Sequence, residues 1–191
     1  YALNNDLSVN LKTGEVNYLK ESYKDWNVNL IDTGLHTMTG GRIRRLKDHI
    51  GKETFMVTYG DGLSNVNVEE LVKFHKSHGK LATFTAVHPP SRFGVIEFDG
   101  DQVTSFKEKP QTEQGWINGG YFVLEPEVFD YLEDDSTIFE RIPLEKLAND
   151  GQLMAYKHNG FWQCMDTLRD KNYLCNIWES GDAPWAIKES N

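Results

Sequence analysis

Phe55-Met56-Val57-Thr58-Tyr59-Gly60-Asp61-Gly62 is an apolar, β-favouring run that delivers a carboxylate between two glycines, and an amphipathic helical pattern starts a few residues later. In an open α/β sheet, ligands collect outside the carboxyl ends of the strands, where such turns lie. Glycines allow a sharp bend and a close approach to a bulky anion. Two readings of Asp61 follow. It is a directed carboxylate suited to a divalent cation that also touches phosphate, or it ends a strand and caps the next helix.

The 191 residues suffice for one sizeable core, or at most two small domains. A 39% hydrophobic and 26% charged composition is that of an ordinary globular chain. The net charge of −9 argues against a nonspecific grip on nucleic acid or on an anionic membrane. No apolar run approaches the roughly 18 residues of a membrane span, and no segment has the order of a signal peptide. A cytoplasmic location is the expectation. Cys164 and Cys175 are too few for a disulfide framework and lack a CxxC spacing, so both are expected as reduced packing residues. A zinc site joining them to His158 lacks paired ligand spacing.

Outward from the opening stretch, Leu7 to Leu11 and Val16 to Leu19 alternate around Lys12-Thr13-Gly14-Glu15, which predicts a hairpin. Val28 to Asp32 reads as a buried strand. Thr39-Gly40-Gly41 leads into a helical run with Ile43, Leu46 and Ile50 on its buried face and Arg42, Arg44, Arg45 and Lys47 elsewhere. Glycines before a helix leave N–H groups free for an anion, and the alternative is a plain loop with a solvated basic face. Val68, Leu71, Val72 and His75 form one helical stripe, which makes His75 a half-buried structural histidine.

Leu81 to Val87 is a core strand ended by His88-Pro89-Pro90. Alternation of strand, helix and strand to this point favours a mostly parallel sheet. Gly94 to Asp99 and Gln102 to Lys107 form a hairpin across Gly100-Asp101, followed by Glu108-Lys109-Pro110. Trp116 to Leu124 is a strand interrupted by Gly119 and Gly120, and Glu125-Pro126 opens a short helix. Further on come a helix over Ile142 to Ala148, strands at Leu153 to Tyr156 and Phe161 to Met165, and a last helix from Leu168 to Glu179 that Asp166 or Thr167 would cap.

The ordered set Tyr59-Gly60-Asp61-Gly62, Arg92-Phe93-Gly94, Glu108-Lys109-Pro110, Ile117 to Leu124 and Phe161 to Lys171 follows Asp32-Thr33-Gly34 and Thr37 to Arg42. It resembles the sugar-phosphate nucleotidyltransferases from about Val28 to Ala186, and the TGGR and WQCMDTLRDK segments resemble the cytidylyl branch. The resemblance implies one α/β domain over residues 1–191: a Rossmann-like mixed sheet flanked by helices, with β-hairpin insertions and a sugar-binding part over 92–166. It implies transfer of a cytidylyl group from CTP to glucose-1-phosphate, giving CDP-glucose for bacterial O-antigen lipopolysaccharide and releasing pyrophosphate. It also implies a homo-oligomer.

By the same resemblance Asp61 and Asp166 hold Mg²⁺, and Lys109 neutralises the sugar-linked phosphate. Glu108 accepts from sugar hydroxyls, while Gly94, Asn118 and Gly119 line the hexose pocket beside Tyr59 and Gly60. Thr39, Gly40 and Gly41 meet the cytosine or ribose, and Arg42 reaches a nucleotide in cis or in a neighbouring subunit. The family also opens with a strand, a GGxGTR loop and a KP-containing segment, and these 191 residues contain none of them. The expectation is a piece of a longer polypeptide, with exposed apolar sheet edges and little cytidylyl transfer by itself. A noncatalytic sugar-nucleotide or subunit-interaction module and a metal-dependent glycosyltransferase are the competing readings. Pyrophosphate is produced only by nucleotidyl transfer and CDP only by glycosyl transfer.

Overall fold

A computed structural model of the chain describes residues 7–18, 27–90, 94–108 and 115–186, in two compact units divided after Asp32. The first unit contains the expected hairpin, β1 (Leu7–Val9) against β2 (Val16–Tyr18), antiparallel with Val9 opposite Val16. Asn10 closes its turn by accepting from the amides of Lys12 and Thr13 through its side chain.

In the second unit, α1 (Thr39–Arg45) and α2 (Lys47–Ile50) precede β3 (Phe55–Thr58) and the three-residue β4 (Gly62–Ser64). Next come α3 (Val68–His78), β5 (Ala82–Val87) and the hairpin of β6 (Gly94–Asp99) with β7 (Gln102–Glu108). After β8 (Ile117–Leu124), a 3-10 helix over Pro126–Tyr131 leads to α4 (Ile142–Asn149), β9 (Leu153–His158), β10 (Trp162–Cys164) and α5 (Leu168–Glu179). Sequence periodicity placed most of these within a residue or two.

The main sheet has the order β3-β8-β5-β9. β8 runs antiparallel to both β3 and β5, and β5 is parallel to β9. The mixed sheet is the expected fold class, whereas the mostly parallel arrangement suggested by the first half of the chain is corrected. β3 and β5 do run the same way, but β8 enters between them from about sixty residues further along. β5 is buried along nearly its whole length, so residues on both of its faces meet other elements. Phe122 and Leu124 of β8 pack with Ile43, Val128, Phe129 and Leu147 in the principal cluster.

The expected buried strand at Val28 to Asp32 does not form. Residues 27–34 have no strand hydrogen bonding, and Leu30 is 94% exposed. An apolar run acquires strand structure only with a ladder to join, and none is offered to it among the described residues. The glycines Gly40 and Gly41 also differ from expectation, since they lie inside α1 instead of before it. Their amides donate to the Thr137 carbonyl, and a Cβ on Gly41 would fall 2.6 Å from Asp135 Cα. They serve close packing of α1 on the 135–137 segment, and their N–H groups are not available to an anion.

Candidate active site

Backbone pairing brings the two strand-end carboxylates together. β4 pairs antiparallel with β10, Gly62 opposite Cys164, and the Met165 amide continues the ladder by donating to the Asp61 carbonyl at 2.8 Å. Asp61 therefore stands beside the chain that carries Asp166. Both line a cleft of about 570 Å³, together with Tyr59, Gly62, Asn118, Gly119 and Trp162 among others. Pro89 and Pro90, at the end of β5, form part of its wall.

The structural alternatives for both carboxylates fall away. Asn67 caps α3, its side chain accepting from the Glu70 amide at 3.0 Å. Thr167 caps α5 in a reciprocal capping box with Asp170. Neither Asp61 nor Asp166 is spent on a helix end. Asp61 makes no side-chain hydrogen bond or ion pair among the described residues, while Asp166 accepts from the Cys164 thiol at 3.2 Å. Cys164 is thus half-buried beside the cleft, and Cys175, expected as a packing residue, is exposed because it lies on the outer face of α5.

A built framework holds the turn around Asp61. The Tyr59 amide donates to the Gly120 carbonyl at 3.0 Å, and the Tyr121 hydroxyl donates to the Gly62 carbonyl at 2.8 Å. The buried Trp162 indole donates to the Gly119 carbonyl at 2.8 Å. Burial raises the pKa of Tyr121, and burial followed by the hydrogen bond to Glu140 pushes that of Tyr59 up strongly, so both phenols remain donors at neutral pH.

β8 changes register against β5 between Asn118 and Phe122, where three β8 residues face one on β5. This bulge displays Asn118 and Gly119 at the cleft. Gly120 has φ 79°, and any side chain there would enter the Tyr59 ring. Glycine is required at that position by both conformation and space.

Other expected residues lie elsewhere. Thr39, Gly40, Gly41 and Arg42 do not line this cleft. The Arg42 guanidinium donates within its own chain to Thr33 Oγ1 at 3.0 Å and to the Leu35 carbonyl at 3.3 Å. Gly60 sits in the turn with open space where a Cβ would stand. Gly94 and Glu108 are opposite one another in the β6–β7 hairpin. Lys109 lies outside the described residues. Sequence reasoning gave no role to Trp162, Tyr121 or Glu140. The indole and phenol are read from sequence as core, and Glu140 follows a polar segment with no periodicity to mark it.

An oxygen-only pair of carboxylates at a cleft fits a hard cation such as Mg²⁺, which takes one or two protein carboxylates and leaves its remaining positions to phosphate and water. No cluster of three or more His, Cys, Asp or Glu suited to a metal occurs among the described residues. Among those residues, too, no helix is long and apolar enough to cross a membrane.

A mixed sheet whose strand ends bring two carboxylates to one cleft is an architecture suited to an enzyme that handles nucleotides. The chain belongs to the nucleotidyl transferase family, whose pattern matches residues 9–170. It is 46% identical over 185 residues to glucose-1-phosphate cytidylyltransferase of Salmonella typhi, covering 96% of this chain and 72% of that one. The catalytic subunit beta of mannose-1-phosphate guanylyltransferase from Xenopus tropicalis is 35% identical over 130 residues, 65% of this chain and 36% of that protein. UDP-glucose pyrophosphorylase complexed with UDP-glucose shares the fold at a TM-score of 0.58 and 16% identity, over 79% of this chain and 65% of that one.

Proposed function

We propose that this protein serves the transfer of a cytidylyl group from CTP to glucose-1-phosphate, yielding CDP-glucose and pyrophosphate. The observation that carries the reading is the placement of Asp61 and Asp166 on adjacent paired backbone at one cleft, together with the similarity to a glucose-1-phosphate cytidylyltransferase. In the reaction a phosphate oxygen of glucose-1-phosphate attacks the α-phosphorus of CTP, the bond to the bridging oxygen breaks, and pyrophosphate leaves with that electron pair. No covalent bond to the protein is needed, so the chain contributes position and charge.

Asp61 and Asp166 are the residues that would hold Mg²⁺, which when bound neutralises the negative charge of the phosphates. Asn118 and Gly119 shape the hexose side of the cleft, with Glu108 and Lys109 assigned to the sugar hydroxyls and the sugar-linked phosphate. Trp162 and Tyr121 keep the two walls in register by holding the carbonyls of Gly119 and Gly62.

The test combines calorimetric binding of CDP-glucose with product analysis of CTP and glucose-1-phosphate in Mg²⁺. CDP-glucose binding with pyrophosphate as product supports the assignment. Free CDP as product moves the protein to glycosyl transfer, and binding without turnover makes it a sugar-nucleotide module. In the full-length polypeptide, Asp61→Ala or Asp166→Ala should lower turnover by about a hundredfold or more while leaving Tm nearly unchanged. Full activity in either variant at saturating Mg²⁺ removes the carboxylate pair from the mechanism.

A further inference from the structure

Six groups running from the cleft wall inward form one hydrogen-bonded chain whose proton positions are dictated from its ends. The Gly120 amide can only donate, so the Asn118 atom that it meets at 2.9 Å is Oδ1. The amide group of Asn118 is thereby oriented, and Nδ2 donates to the Tyr59 hydroxyl oxygen at 3.0 Å. Tyr59 must send its single proton elsewhere, and gives it to Glu140 Oε1 at 2.7 Å. From the other end, the Phe139 amide donates to Thr39 Oγ1 at 2.9 Å, and Thr39 gives its proton to Glu140 Oε2 at 2.6 Å. The half-buried Glu140 carboxylate is where both directions meet.

A carboxylate, which accepts at both oxygens and has no proton of its own to place, terminates both chains. If it is removed, Tyr59 has no acceptor among the described residues but Asn118, which then turns its oxygen toward Tyr59 and leaves the Gly120 amide unmatched. With Glu140 in place, the second N–H of Asn118 has no protein acceptor among the described residues, and Asn118 lines the cleft. Glu140 is not among the residues that line it.

We infer that Glu140 is a positioning residue that fixes sugar selectivity from behind the cleft, by compelling Asn118 to present an N–H donor to a hydroxyl oxygen of the sugar phosphate. The inference rests on the hexose-side assignment of Asn118 made above. It also gives Thr39 a role different from nucleotide contact, since its hydroxyl proton belongs to Glu140.

The experiment measures binding of glucose-1-phosphate, galactose-1-phosphate, mannose-1-phosphate and CTP to the chain and to Glu140→Ala, Glu140→Gln, Tyr59→Phe, Asn118→Ala and the Glu140→Ala/Asn118→Ala double variant. Glu140→Ala should weaken glucose-1-phosphate binding about tenfold and flatten its preference over at least one epimer, with CTP affinity unchanged within about twofold. Asn118→Ala should lose as much, and the double variant no more than either single one. Glu140→Gln should restore part of the loss, since its carbonyl still accepts from Tyr59. Tyr59→Phe removes the hydroxyl that would otherwise draw the Asn118 oxygen away from the Gly120 amide, so it should keep the wild-type sugar preference, and Glu140→Gln carries the test if Glu140→Ala does not fold. Additive losses, an unchanged sugar preference in the Glu140 variants, a lost preference in Tyr59→Phe, or equal losses for CTP and glucose-1-phosphate overturn the inference alone. A wild-type chain that binds none of the three sugar phosphates overturns the functional assignment as well.

Discussion

Thr85 is fully buried, and its hydroxyl has no hydrogen-bond partner among the described residues. It is the single β5 residue facing the β8 bulge, where the ladder that would order its surroundings is interrupted. A buried hydroxyl without a partner forfeits its hydration for nothing, at a cost of about 1–3 kcal/mol. Valine has nearly the same shape and no polar atom. Thr85→Val should therefore stabilise the fold by about 1 kcal/mol, seen as a rise in the denaturant midpoint at constant slope. A lower midpoint would mean that the hydroxyl finds a partner in solution. The neighbouring bulge illustrates the opposite case, since Gly120 admits no replacement: the backbone angle and the Tyr59 ring both exclude a side chain. One position in this corner carries an avoidable cost, and the adjacent one has no alternative residue.

At the scale of elements, α3, β5 and the end of β8 are joined by a second directed chain. The Lys80 amide donates to His78 Nδ1 at 3.0 Å, which leaves the His78 proton on Nε2, 2.8 Å from Thr83 Oγ1. Thr83 then donates to His75 Nδ1 at 2.8 Å, and His75 Nε2 donates to Glu125 at 3.0 Å, where Thr54 also donates. His75, read from its helical stripe as half-buried, is 1% exposed because Thr83 and Glu125 supply partners that the stripe could not reveal. A proton added to His78 has no acceptor, since Nδ1 faces an N–H. Burial lowers the His78 pKa below its usual 6.5, with further lowering by His75 and Lys80. The unfolded chain thus takes up this proton more readily than the folded one. The stability contributed by neutral His78 is complete above pH 6.5 and declines as the pH falls through the lowered folded value. His78→Gln, which cannot titrate, should flatten the fall of Tm between about pH 7 and pH 5. Parallel curves for the variant and the wild type would assign that fall to other groups.

For the whole molecule, local pattern revealed the elements and concealed their neighbours. The bounds of α5 were legible because Thr167 and Asp170 announce a helix start and the apolar spacing runs to Glu179. The insertion of β8 between β3 and β5 was not, since periodicity carries no information about which strands pair across sixty residues. The strand-end carboxylates could be read because each follows an extended run, whereas Glu140 owes its place to packing of α1 against the 135–140 segment. The same blindness to neighbours explains Val28 to Asp32, an apolar run with no ladder to join. It also bears on β3, which pairs with β8 on one side and has no second partner among the described residues. Its Met56 is 44% exposed. An unprotected edge strand offers amides and carbonyls to another chain, and lysine on such a strand opposes that pairing by charge and hydration. The protein should therefore self-associate with rising concentration in sedimentation velocity, and Met56→Lys should shift the distribution toward monomer with Tm held within about 2 °C. A concentration-independent monomer, or an assembly indifferent to Met56→Lys, would show that the β3 edge is covered in solution.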